Sequence, residues 1–255
     1  MATLDTQSRS ESPPYLLPIE DDATLSNDLT VSAIRILILH CAIIACLALA
    51  HFCSALLVLT IGKGNTLWQF TSMGGESNLP ATFSAFATLV AALITLLVSR
   101  VEFDVSNRRS WVVIALVLIF MAFDEAATIH ERIKRLLPGN ETLGLGWIII
   151  YGAFLLPLGI YLFRFWLRLP ASTRWGLMLA AVVFLSGAVE MELVERSLLT
   201  PGLENRYEEY LRLPLVLSIM VEEVLEKLGI AILIFTLFRY AAGLPRNEIV
   251  LRIRN

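Results

Sequence analysis

Six long apolar segments constrain the fold of this 255-residue chain more than any other feature. Each is long enough to cross about 30 Å of hydrocarbon at about 1.5 Å per residue. They cover residues 32–61, 81–100, 111–136, 144–169, 172–199 and 213–241. The chain is 56% hydrophobic and only 17% charged, with a mean hydropathy of +0.70, as is typical of membrane proteins. The sequence therefore predicts an all-α, polytopic membrane helix bundle with about six transmembrane helices.

The segments outside these spans predict a simple domain organisation. Residues 1–30 are polar and rich in Ser, Pro and acidic residues, so we expect a disordered cytosolic segment before an uncleaved first helix. Residues 31–243 form the predicted transmembrane domain, and residues 244–255 form a short cytosolic tail. With this orientation most arginines flank the cytosolic ends of the spans. We therefore expect a multi-pass protein of the cell inner membrane with both termini in the cytosol.

Carboxylates inside three predicted spans are the main indication of function. An ionised side chain in the bilayer core costs several kcal/mol, about 3 or more, unless it meets a partner, a metal ion or water. The acids are Asp124, Glu125 and Glu131, with His130, in the third span; Glu190, Glu192 and Glu195 in the fifth; and Glu222, Glu223 and Glu226 in the sixth. The direction of each span predicts that these three groups meet toward the outer leaflet and form one site.

Such a group of carboxylates needs shared protons, basic partners such as Lys227, or bound cations. Carboxylates with a few imidazoles, projecting from a helical bundle, are the ligands of di-iron and di-manganese sites. The candidate metal ligands are Asp124, His130, Glu131, Glu222 and Glu226, then Glu192 and Glu195, with His51 of the first span as an additional imidazole. Glu125 and Glu223 would be catalytic bases or alternate ligands. The expected cofactor is a divalent iron or manganese ion, with zinc as a further option.

Three functions remain open at this point. The first is a membrane metalloenzyme, an oxidoreductase or hydrolase, acting on an apolar or lipid-like substrate that arrives through the membrane lipids. The second is a proton- or cation-coupled transporter using the same acids. The third is a structural subunit of a membrane complex. The alternative interpretation is that the acids mark where helices leave the membrane, although the apolar flanks of Glu222, Glu223 and Glu226 argue against this for the sixth span.

Nucleic acid is excluded as a partner, because the net charge is −3 and no basic patch is present in the sequence. The oligomeric state is not indicated.

The run Phe-Asp-Glu-Ala-Ala-Thr-Ile-His-Glu, at residues 123–131, resembles a motif in a group of uncharacterised bacterial multi-pass membrane proteins. The resemblance covers the third predicted span and, more loosely, the Glu-rich sixth span. It implies no activity. The Glu-x-x-His spacing of soluble di-metal bundles is absent from this run, so no ligand assignment is transferred from those proteins either.

Overall fold

A computed structural model of the protein describes residues 32–62, 65–129, 132–133, 146–198 and 211–244; for residues 146–149, 190–192 and 195–196 it describes the backbone only. The predicted segment 1–30 and almost all of the predicted tail 244–255 lie outside these ranges. All secondary structure within them is helical. The helices are α1 (Ala33–Ile61), α2 (Asn65–Thr71), α3 (Leu79–Val101), α4 (Val105–Ala127), α5 (Gly146–Arg168), α6 (Ala171–Leu185), α7 (Glu192–Leu198) and α8 (Leu213–Ala242), with a π-helical segment (Ser186–Met191) joining α6 to α7.

Five of the helical segments are long and apolar enough to cross a membrane. They are Ala33–Ile61, Leu79–Val101, Val105–Ala127, Ile150–Arg168 and Ala171–Val189. Large apolar side chains remain exposed on these helices, for example Phe154 at 75%, as expected for surfaces that face lipid rather than water. α8, with 30 residues, is the longest of the described helices. It is not among these five candidate spans, and it carries charged residues in its middle. The chain is thus a polytopic helical bundle, as predicted.

α8 occupies the centre of the bundle, where it contacts α1, α3 and α6. Its contact with α3 is formed largely by small side chains of α3, and such residues let helices approach closely in lipid. This core comprises Ala87, Ala91 and Ala92 of α3, Leu118 of α4, and Ile230 and Ile234 of α8. On the α6 side, a Cβ at Gly229 of α8 would lie 2.8 Å from the backbone nitrogen of Phe184 and 2.9 Å from the carbonyl oxygen of Ala180, so the two helices cross almost in backbone contact. α5 is peripheral and packs mainly against α4.

The connection between α3 and α4 holds a buried carboxylate, that of Glu102. The hydroxyl of Tyr240 on α8 donates a hydrogen bond to Glu102, which is only 6% exposed. Arg108 donates to the backbone carbonyl of Glu102 at 3.2 Å. At the start of α4, the backbone N–H of Asn107 donates to the Asp104 carboxylate at 2.9 Å and lowers the pKa of that carboxyl. These contacts fix the end of the bundle at which α8 finishes.

Replacing Tyr240 with Phe is expected to lower the stability of the protein by about 1–3 kcal/mol, because the buried Glu102 carboxylate loses its hydroxyl donor. Thermal unfolding of purified protein in detergent, followed by circular dichroism, measures the change. Tyr161→Phe is the matched control, since the Tyr161 side chain is 52% exposed on α5 and its change should fall within about 0.5 kcal/mol. Equal shifts for the two variants would contradict the structural importance of the Tyr240–Glu102 contact.

Two predicted spans are not continuous α-helices. The predicted helix 111–136 is interrupted because Thr128 is left-handed (φ 54°, ψ 41°), and its N–H donates to the carbonyl oxygen of Asp124 as a helix cap. The predicted span 111–136 is therefore not one continuous α-helix, because α4 ends at Ala127. The predicted helix 172–199 contains the π-helical segment Ser186–Met191. Because each π turn holds more residues than an α turn, the residues after it are rotated relative to the predicted faces.

Candidate functional site

Lys227 lies at the centre of the candidate site, in the middle of α8. Its side chain is 1% exposed, and its ammonium group donates to the carboxylate of Glu223, one helical turn earlier. The charges of Glu226, also on α8, and of Glu125 on α4 act on the same ammonium group. We call these four residues the Lys227 cluster. The structure therefore brings acids of the third and sixth predicted spans to one buried cation.

Asp124 and Glu125 are adjacent in sequence but interact with different helices. The Asp124 carboxylate interacts with the hydroxyl of Tyr151 on α5, whereas the charge of Glu125 acts on Lys227 of α8. Successive residues of an α-helix are about 100° apart, so this divergence is expected. The last turn of α4 thus connects the peripheral helix α5 with the central helix α8.

The π-helical segment packs directly against the acidic turn of α8. A Cβ at Gly187 would lie 2.7 Å from the carbonyl oxygen of Glu222 and 2.9 Å from Cγ of Glu226, too close for any other residue without a shift of the helices. In the fifth predicted span, the backbone at Gly187 therefore contacts Glu222 and Glu226 of the sixth span. Gly187 lies three residues before Glu190, the first acid of the fifth span. π-helical segments inside α-helices are frequently found at functional sites.

His51 has a structural role in this arrangement. The backbone N–H of Met73 donates to Nδ1 at 3.0 Å, and Nε2 lies 3.1 Å from the carbonyl oxygen of Val216 on α8. The ring also packs on Trp68 of α2, with 4.9 Å between the ring centroids. Both nitrogens are engaged and the residue is fully buried, so a metal ion at His51 would have to replace one of these two hydrogen bonds.

A cleft of about 320 Å³ lies between α3 and α4, and one member of the Lys227 cluster, Glu125, lines it. Glu125 contributes a carboxylate to its wall, and the rest of the lining is mainly apolar: Ala81, Ala85, Phe86, Leu89, Ala122, Phe123 and Ala126, with Ser77 and Thr82. Phe86 and Phe123 are each 64% exposed, so the cleft opens on the outer surface of the two helices. Glu125 therefore contacts the cleft and influences Lys227 at the same time.

Within the part of the chain that the structure describes, no group of three or more His, Cys, Asp or Glu side chains is arranged to hold a metal ion. The described candidates are Asp124, Glu125, Glu222, Glu223 and Glu226. His130 and Glu131 lie outside the described residues, as do the side chains of Glu190, Glu192 and Glu195. The predicted iron or manganese site thus stays a prediction that depends on those residues.

Lys227 was recognisable from the sequence as a basic residue at the depth of the acids, whereas Gly187 and Tyr151 were not recognisable as site residues. A glycine inside an apolar helix was the available signal for close helix contact. Nothing in the sequence distinguished Tyr151 from the other aromatic residues of the fourth predicted span.

Comparison with known proteins gives one family match. The family model described as "Domain of unknown function (DUF8692)" matches residues 36–241, from the first turn of α1 to the last turn of α8. This is consistent with the resemblance to an uncharacterised group. No curated protein and no solved structure matches the chain.

Proposed function

Because this chain belongs to the DUF8692 family, which offers no activity to transfer, we propose a function from the geometry alone: a membrane transporter coupled to protons or small cations. In this proposal the Lys227 cluster is the ion-binding site. Glu125 and Glu223 bind and release the proton or exchange it for a cation, and Lys227 holds the carboxylates together. The transported molecule is apolar or lipid-like and enters through the cleft between α3 and α4.

The ion pair between the buried Lys227 and Glu223, whose side chain is 20% exposed, is the observation that carries this proposal. Burying the charge of Lys227 is weak evidence for a stabilising role, because the cost of removing a charge from water often exceeds the attraction of its partner. Ionisable residues at membrane depth accordingly favour a role in ion or proton pathways. Lys227 is 2% exposed as a whole residue, so its charge cannot be explained by contact with water at a helix end.

Several carboxylates around one ammonium group also favour exchange of protons. Carboxylates that surround one cation are coupled through it, so neutralising the charge of one of them changes the electrostatic environment of the others. Glu125 faces the cleft and Glu223 holds the ammonium group. A proton or a cationic group arriving at Glu125 would therefore weaken its attraction for Lys227, which gives a physical basis for coupling.

Reconstitution into liposomes tests the proposal. We expect the wild-type protein to accelerate dissipation of an imposed pH gradient, reported by trapped pyranine, with valinomycin and potassium clamping the membrane potential and sodium supplied in counter-gradient. Glu125→Gln and Glu223→Gln should each slow the flux at least about tenfold, because each removes a proton-binding group. Glu76→Gln is the matched control, since this carboxylate is exposed near the start of α3 and should leave the flux unchanged.

Flux no faster than in protein-free liposomes would contradict transport, as would equal rates in the wild-type and Glu125→Gln proteins. Comparable monodispersity of all variants in size-exclusion chromatography ensures that a lost rate reflects lost ion binding.

A divalent metal site is the second candidate, and the contact at Gly187 favours it. This contact places the chain leading into Glu190, Glu192 and Glu195 beside Glu222 and Glu226 of α8, and carboxylates are suitable ligands for iron and manganese. Elemental analysis after incubation with iron, manganese and zinc separates the two candidates. One or two ions per chain, lost in Asp124→Ala and Glu222→Ala, would support the metal site, whereas a metal-free protein with proton flux would support transport.

A further inference from the structure

A second cleft, of about 450 Å³, lies between the start of α4 and the end of α5, at the opposite end of α4 from the Lys227 cluster. It is lined by Ser106, Ser110, Ile160, Tyr161, Arg164 and Arg168. Two arginines and three hydroxyl-bearing residues thus line one space, which neither the proposed transport site nor the metal prediction uses. Guanidinium groups with nearby hydroxyls are a typical environment for a phosphate group.

The two arginines are one helical turn apart on α5 and therefore share a face. Arg168 donates to the Ser106 hydroxyl oxygen at 3.0 Å, and the Asp104 carboxylate interacts with its charge. Arg164 has no hydrogen-bond or ion-pair partner among the described residues. The structure therefore holds Arg168 in position and leaves the guanidinium of Arg164 for an incoming anion.

The position of the cleft indicates that this anion belongs to a lipid. Arg164 lies about 6 Å from the last residue of α5 along the helix axis, a depth at which headgroups meet the ends of membrane helices. Trp166 near the end of α5 and Trp175 near the start of α6 lie at the same end of the bundle, with ring centroids 6.2 Å apart, as in the aromatic belts of membrane interfaces. Ile160 is 70% exposed and forms an apolar wall one turn deeper than Arg164, where an acyl chain would pack.

We propose that this cleft binds the phosphodiester headgroup of an anionic phospholipid, with Arg164 as the main contact and Arg168, Ser106 and Ser110 as its supports. Two guanidinium groups and the Asp104 carboxylate leave one net positive charge, which complements a headgroup with a single negative charge such as phosphatidylglycerol. Basic pockets between membrane helices are known to recognise anionic lipids in this way.

Native mass spectrometry of purified, delipidated protein titrated with phosphatidylglycerol or phosphatidylcholine tests the assignment. We expect at least one phosphatidylglycerol to remain bound at concentrations at which phosphatidylcholine does not. Arg164→Gln should weaken phosphatidylglycerol binding about tenfold, the effect of losing one charged hydrogen-bonding group. Arg100→Gln, at an exposed arginine on the same end of the bundle, is the matched control and should bind like the wild type.

Competition with inorganic phosphate distinguishes binding of a lipid headgroup from binding of free phosphate. Millimolar phosphate should not displace the lipid, because free phosphate lacks the acyl chains that pack beside Ile160. Displacement by phosphate, equal binding of the two lipids, or unchanged binding in Arg164→Gln would each overturn the proposal. The proton-flux experiment does not depend on this result, since Arg164 is not part of the Lys227 cluster.

Discussion

Replacing Lys227 with Met is expected to have the largest effect of any single substitution in this protein. The Glu223 carboxylate, whose side chain is 20% exposed, would lose its cationic partner. Breaking a fully buried ion pair costs about 3–5 kcal/mol, and the partial exposure of Glu223 places this loss near the lower end, at about 3 kcal/mol. Thermal unfolding in detergent should show a large decrease in midpoint, and proton flux in liposomes should fall to the level of protein-free controls. Both effects have the same cause, because Lys227 neutralises the carboxylates that would bind the transported ion.

The double variant Lys227→Met with Glu223→Gln separates stability from function. Removing both charges takes away the uncompensated carboxylate, so much of the lost stability should return, and the coupling energy should appear in a double-mutant cycle. The proton flux should stay low, because the double variant still lacks the Glu223 carboxylate and the Lys227 ammonium group. A double variant no more stable than Lys227→Met alone would show that the two side chains do not interact in the folded protein.

Gly187→Ala is expected to have the second largest effect. The new Cβ would lie 2.7 Å from the carbonyl oxygen of Glu222, so the π-helical segment must move away from α8. Overpacking of this kind typically costs about 1–3 kcal/mol. We expect a lower thermal midpoint and slower proton flux, since the displaced contact includes Glu226 of the Lys227 cluster.

Gly159→Ala is the matched control for this prediction. Gly159 is also in a long apolar helix, but a Cβ there would meet nothing within 4 Å. The substitution should leave flux unchanged and raise stability by up to about 1 kcal/mol through the higher helix propensity of alanine. If the two alanine substitutions shift the midpoint equally and in the same direction, the close approach of Gly187 to α8 is not what holds this interface.

The helix positions were largely predictable because long apolar segments and their Pro and Gly boundaries are encoded locally. α8 begins at Leu213 and ends at Ala242, within one residue of the predicted span. The break at Thr128 was not predictable, since Asp-Glu-Ala-Ala-Thr-Ile suits a continuous helix and contains no Gly or Pro that would signal a left-handed residue. The π-helical segment also has no local sequence signal; it lies where Gly187 packs against α8.

The candidate site was predictable in its residue types but not in its pairing. Charged residues in apolar helices pointed to Glu223 and Lys227, and the opposite directions of the helices pointed to contact with Glu125. The sequence did not show that both nitrogens of His51 bond to the backbone, because the partners Met73 and Val216 are distant in sequence. The short helix α2, which supplies the Trp68 ring, also carried no clear periodicity.

The two hydrogen bonds of His51 restrict the imidazole to one tautomer. Nδ1 accepts from the N–H of Met73, so Nε2 must carry the proton that it donates to Val216. A second proton could be added only at Nδ1, and this would break the bond to Met73. The uncharged His51 ring thus links the middle of α1 to the segment between α2 and α3 and to the first turn of α8. Protonation of the ring would break the hydrogen bond to Met73 and leave the one to Val216 intact.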